Sequence, residues 1–121
     1  MNDLTTHHWT VTAIDGEPVF EQFAPTLEFD ATGRISGSTG VNTFFGAYFF
    51  DGATVKVETL GSTRKTGPAQ AVLQEHRFLS VLQGERPVTY AEGILTIGTT
   101  ETGVIEAAAV VSSSGEPSML R

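Results

Sequence analysis

The residues of this chain whose types suit acid–base or metal chemistry are three histidines and a glutamate beside one of them, and their spacing limits what they can do. His7 and His8 are adjacent and His76 lies far from both, so neither a His-Glu-x-x-His nor a zinc-finger spacing is present and no metal is expected. Glu75 and His76 are neighbours and would suit a weak hydrolase, but a general acid needs a partner that the sequence does not nominate. Ser36-Gly37-Ser38 and Gly61-Ser62 lack the Gly-x-Ser-x-Gly elbow of a serine nucleophile. Gly33, Gly37 and Gly40 are wrongly spaced for a phosphate loop, and no helix follows them. With no cysteine in the chain, disulfides, thiolate zinc sites and iron–sulfur clusters are excluded. No catalytic residue and no cofactor is expected, which leaves binding.

The strongest binding lead is an aromatic run. Phe44, Phe45, Tyr48, Phe49 and Phe50 are interleaved with Gly40 and Gly46, and a Phe-Phe pair in a strand places one ring on each face. Rings turned inward are core; rings turned outward, with Phe45, Tyr48 and Phe49 the candidates, would bind an acyl chain, a hydrophobic drug or a partner's strand. Arg64, in the polar loop Gly61–Gly67, is expected to pair internally with a carboxylate such as Glu75, with anion binding as the alternative. Glu75 should then reach the rim or meet Arg64. Asn42, between Gly40 and Gly46, is expected to tolerate a left-handed backbone and to bond neighbouring peptide groups. His7-His8 are assigned to a mobile end and His76 to the rim of a helix.

Short apolar runs of period two, cut by glycine turns, would position these residues. Trp9, Val11 and Ala13 alternate with threonines and end at Asp15-Gly16; Leu27 and Phe29 precede Thr32-Gly33 and Ile35. Gly46 suggests a bulge, and Asp51-Gly52 turns the chain into Val55 and Val57. The period changes after Pro68, a residue favoured at helix starts. Ala71, Val72, Phe78, Leu79 and Leu82 share one side at about 3.6 residues per turn, whereas Gln74, Arg77 and Ser80 fall elsewhere, giving one helix over about 68–83 that stops near Gly84. Val88 to Tyr90, Ile94 to Ile97 and Val104 to Val111 read as the last strands, the final one carrying small residues where another element can pack closely. The expected fold is mainly β: a small antiparallel barrel of about eight strands, closed or cracked, with one helix at a mouth or an open side. Residues 1–121 form a single domain with its core in about 9–111, and 112–121 read as a flexible tail.

The segment Gly37-Ser38-Thr39-Gly40-Val41-Asn42-Thr43-Phe44-Phe45-Gly46-Ala47-Tyr48 resembles the Gly-x-x-Gly-Cys-Asn-x-Phe-x-Gly-x-Tyr pattern of the META domain, or HslJ-like, family. Leu27-Glu28-Phe29-Asp30 and Gly33-Arg34-Ile35-Ser36-Gly37 match the hairpin that precedes it. Ser62-Thr63-Arg64 matches the downstream loop, Glu75, Phe78, Leu79 and Leu82 match the helix, and Trp9 the opening strand. Both positions where many relatives carry cysteine are altered, to Val41 and Gly67, so any crosslink used by relatives is replaced here by packing or lost. The resemblance implies a small cracked β-barrel with one helix. It also implies stress-response, antibiotic-tolerance or envelope associations, with no established catalytic activity and no site to carry over. Trp9, Gly40, Asn42, Gly46, Thr63 and Glu75 are its structural positions in this chain.

The composition agrees with a binding or scaffold role more than with contact to polyanions. Seven Lys+Arg against fourteen Asp+Glu give a net charge of -7, which repels phosphate backbones and anionic lipid, and the longest basic run is Arg64-Lys65. Nucleic acid is not an expected partner. The start of the chain lacks a secretory pattern, and no segment approaches the roughly 20 apolar residues that span a bilayer. The chain as written is expected to be cytoplasmic, or of the envelope or secreted if an upstream signal was removed. The reading is a non-enzymatic domain that binds a hydrophobic small molecule or a partner protein, monomeric by preference. The alternative is a purely structural or interaction module.

Overall fold

The computed structural model describes residues 4–110, and the tail expected at 112–121 lies outside them. Nine strands occur in order: β1 (His8–Ile14), β2 (Glu17–Pro18), β3 (Thr26–Phe29), β4 (Arg34–Ser38), β5 (Thr43–Phe50), β6 (Thr54–Ser62), β7 (Gly84–Ala91), β8 (Ile94–Thr99) and β9 (Gly103–Val110). One α-helix, α1 (Ala69–Leu82), joins β6 to β7, within a residue of each expected boundary. Neighbouring strands are antiparallel. Because β1 pairs with β3 on one side and β9 on the other, β1 and β3 to β9 close into an eight-stranded barrel that leaves no free sheet edge at the seam. The two-residue β2 is an extra hairpin arm on β1.

The turns follow from residues that accept positive φ. Asp15-Gly16 and Glu92-Gly93 both take φ > 0 at consecutive positions, the backbone that tight hairpins require. The Asp30 carboxylate accepts the Thr32 and Arg34 amides and the Thr32 hydroxyl, at 3.0, 3.0 and 2.7 Å. Asp51 accepts the Ala53 and Thr54 amides at 2.9 and 2.7 Å. The Thr32 hydroxyl holds Asp30 below the usual carboxylate range, and the two amides do the same for Asp51.

Two bulges set which residues face inward. Between Val11 and Ala13 the β1–β9 register slips, so Ile14 enters the core in place of the Ala13 that strict alternation would send there. Between Phe45 and Ala47 the β5–β6 register slips as Gly46 suggested, but the extra residue lies on β6, where Thr59 adopts φ 58°. Gly46 is the residue that can face this bulge: a Cβ there would sit 2.9 Å from the Glu58 carbonyl oxygen. Below the bulge β6 has ladder partners on β5 alone, since its pairing with β7 ends at Val57↔Gly84.

Side chains fill the barrel interior. Trp9, Val11, Leu27, Phe29, Ile35, Phe44, Val55, Val57, Leu95, Ile97 and Ile105 are all buried in one cluster. Phe78, Val81 and Leu82 of α1 enter it, and the Phe78 ring meets Phe44 edge-on at 5.4 Å between centroids. Val81 fits against Gly103 at the start of β9, where a Cβ would approach its methyl to 2.8 Å; the residue that admits the helix is thus this glycine, expected in the preceding turn, and not the alanines of the last strand. The Arg86 guanidinium donates to the Val81 carbonyl at 2.9 Å near the helix C-terminus, where a cation is favoured. α1 therefore covers one mouth of the barrel. At the opposite mouth the Trp9 indole N–H donates to the Leu4 carbonyl at 3.2 Å, bringing the buried Leu4 onto the core.

Phe78→Ala would leave a ring-sized void between helix and barrel and should lower stability by about 3–5 kcal/mol in urea denaturation. A loss below about 1 kcal/mol would mean that the helix does not fill this mouth.

Candidate functional site

Gly40, Asn42, Thr63 and Glu75 of the family pattern converge on the helix-covered mouth, whereas Trp9 lies at the opposite one. Gly40, at φ 98°, passes the Phe23 backbone so closely that a Cβ would enter the van der Waals shell of the Phe23 carbonyl oxygen. That approach aims the turn Thr39–Asn42 at α1. The Thr39 hydroxyl donates to Glu75 Oε2 at 2.7 Å and accepts the Asn42 amide at 2.8 Å. The Asn42 Nδ2 donates to the same Glu75 oxygen at 2.8 Å and to the Lys65 carbonyl at 3.2 Å. Its Oδ1 accepts the Lys65 amide at 2.6 Å and the Thr63 hydroxyl at 2.9 Å. Thr39, Asn42 and Glu75 are all buried, so these bonds satisfy groups that water does not reach.

Asn42 thus has the expected structural role by a different means. Its φ is not positive; both ends of its side-chain amide are used instead to tie the β4–β5 turn, the loop after β6 and the helix together. The expected Arg64–Glu75 ion pair is not made. Arg64 is exposed, and Glu75 neither reaches the rim nor meets a cation, because two neutral donors from the turn have taken its Oε2. His76 is exposed on the next position of the helix, so the Glu75–His76 hydrolase dyad is not assembled. His7 and His8 do not belong to a mobile end: the His7 ring packs on Trp9 at 5.6 Å, and His8 opens β1 with its Nε2 3.3 Å from Glu28.

Residue type places Gln74 off the apolar side, yet it is buried. Its Oε1 accepts the Phe20 amide at 3.0 Å and its Nε2 donates to the Phe23 carbonyl at 2.9 Å, fixing the segment between β2 and β3. The signal was positional: Gln74 lies three residues after Ala71 and four before Phe78, on the buried stripe.

The aromatic run divides by face. Phe44 is fully buried, while Phe45 and Phe49 are 55% and 63% exposed on the outer surface. Phe45 lies over Gly61, its cross-strand partner, whose missing side chain leaves room for the ring. Tyr48 points inward, meets Phe29 edge-on at 5.0 Å and donates its hydroxyl to the Asp30 carbonyl at 2.7 Å, so it is a wall and not a free ligand group. Phe50 is half-buried against the core.

Among the described residues three hollows open at the surface. One of about 640 Å³ is lined by Leu4, Tyr48, Phe49, Phe50, Asp51, Lys56 and Glu85 among others. A groove of about 230 Å³ runs between α1 and the β1–β2 arm, with Ile14, Val19, Phe20 and Leu73 in its walls and the Arg77–Glu17 ion pair at 2.9 Å across it. The third, also about 230 Å³, lies over Trp9 and Leu27. Arg64 lines none of the three. Among the described residues no group of three or more His, Cys, Asp or Glu could hold a metal, and no helix is long and apolar enough to cross a membrane.

The barrel is closed where the family resemblance implied a cracked one, and its helix is tied to the Gly40–Asn42 turn of the family pattern. The META domain model matches residues 2–111, and the chain belongs to that family. The fold is shared with a protein solved by NMR, 21% identical with a TM-score of 0.73, covering 90% of this chain and 96% of that one. It is shared with a Burkholderia xenovorans protein solved by NMR, at 22% identity and a TM-score of 0.71 over 90% and 85% of the two chains. A DUF4847 family protein from Bacteroides vulgatus ATCC 8482 is 16% identical with a TM-score of 0.63, over 87% and 93%. No curated protein matches the sequence significantly.

The two positions altered from the family pattern lie side by side. A Cβ on Gly67 would stand 3.9 Å from the Val41 Cβ, inside the separation of about 3.5–4.5 Å that a disulfide spans. The variant V41C/G67C should therefore lose both free thiols on mild oxidation and gain about 3 kcal/mol of stability relative to its reduced form. Thiols that persist under oxidant would contradict the placement of the two loops.

Asn42→Ala strands the Lys65 amide and removes a donor from Glu75, and should cost about 3 kcal/mol in denaturation. Glu75→Gln, which keeps an acceptor for both donors, should cost less. Equal costs would show that charge on Glu75 carries the interaction.

Proposed function

We propose that this META domain is a non-enzymatic binding module that takes an apolar small molecule or a partner's apolar side chains on the outside of its barrel. The observation that carries the reading is the exposure of Phe45 and Phe49, 55% and 63%, at alternate outward positions of one strand. Large rings left in water on a domain whose interior is already filled represent apolar area that an outside contact would cover. The same filled interior argues against a carrier of the hollow-barrel kind, because burying an acyl chain there would displace core side chains. Tyr48 contributes to the wall of the hollow that Phe49 lines, and Arg64, exposed and in the lining of none of the three hollows, contributes nothing to the reading.

The test is the double variant F45S/F49S with Nile red, a neutral dye, as probe. Far-UV circular dichroism should be unchanged, and the dye's fluorescence gain on the folded protein should fall at least about tenfold, the loss of two aromatic contacts. Undiminished dye binding by the folded variant would refute the outer-face assignment.

A further inference from the structure

Phe49, Lys56 and Glu85 are direct cross-strand neighbours, Phe49↔Lys56 and Lys56↔Glu85, and together they form one side of the 640 Å³ hollow. Leu4, Tyr48 and Phe50 supply apolar wall, and Asp51 stands at its edge. The charges here are unbalanced. Lys56 Nζ lies 3.2 Å from Glu58 Oε2, so the cation already has a carboxylate partner within its own strand. That leaves Asp51 and Glu85 as the acidic residues of the lining, with no cation besides Lys56 among the described lining residues. Asp51 is a persistent anion, since the Ala53 and Thr54 amides favour its ionised form.

We infer that this hollow takes an amphipathic organic cation: an alkyl or aryl chain against Phe49 and Phe50, with an ammonium group toward Glu85 and Asp51. The inference rests on the outer-face reading above and adds the sign of the ligand's charge. A carboxylate ligand would have to draw Lys56 from Glu58 and then sit beside two anions. An ammonium meets two carboxylates and the negative faces of aromatic rings, to which cations are drawn. The protein's net charge of -7 adds attraction at long range.

The probes are octylammonium and octanoate, of equal chain length and opposite charge, titrated into the full chain at pH 7 and low salt, with amide NMR shifts read residue by residue. Octylammonium should bind at least about fivefold more tightly than octanoate, with shifts centred on Phe49, Phe50, Lys56 and Glu85. Glu85→Gln should weaken octylammonium about threefold without disturbing the remaining spectrum, and Glu85→Lys should invert the preference. Equal binding of the two probes would overturn the charge assignment while leaving the outer-face reading intact, because the alkyl chain would still be held. Shifts centred on Leu73 and Phe20, or binding of neither probe, would overturn the site itself.

Discussion

The amide of Asn42 meets the carboxylate of Glu75 and the backbone of Lys65 at one point, and three segments distant in sequence are joined there. None of the three would come together from propensity alone. The loop after β6 is polar and exposed, the β4–β5 turn passes close to the Phe23 backbone at Gly40, and α1 carries a carboxylate on its buried stripe. A buried polar group without partners costs more than most core contacts contribute, so the helix can rest on the barrel only in the register that satisfies Glu75. Gln74, one residue earlier, repeats the arrangement for the segment between β2 and β3. Two adjacent polar residues thus fix the helix against two loops, while Phe78, Val81 and Leu82 supply the apolar contact beneath.

With that mouth covered and the other approached by Leu4, the interior is a core and not a compartment. In the proposed function a ligand is therefore met outside this core. There the alternation of β5 matters most: Phe44 and Tyr48 go inward to hold Phe78 and Phe29, and Phe45 and Phe49 go outward. The strand that supplies the core's central rings is also the strand that offers rings to solvent. The odd residue of the ladder is taken up on β6 opposite Gly46, so the alternation of β5 runs unbroken.

Much of this was legible in the residues. Period-two runs cut by Asp-Gly, Thr-Gly and Glu-Gly turns give the strands, and the change of period after Pro68 gives the helix, because both depend on nearby residues alone. The bulge at β1 was not, since the slip that brings in Ile14 answers to β9, nearly a hundred residues away. The polar network was half legible. Asn42, Thr63 and Glu75 stood out by the family pattern, but residue type suggested that Glu75 would seek Arg64. Opposite charges attract wherever they can meet; here the loop geometry turns Arg64 to water and presents Thr39 and Asn42 first. Gln74 departs from the expectation of its type for a similar reason: its place on the helical stripe buries it.

Hydrogen exchange at the Lys65 amide tests the central interaction in the unaltered protein. Lys65 is exposed in a loop, and its N–H is held by the Asn42 side chain at 2.6 Å. If that side chain locks the helix to the barrel, Lys65 should exchange only through the opening that also releases core amides such as Val11, and far more slowly than Arg64 and Thr66. Exchange of Lys65 as fast as those two neighbours would contradict the account.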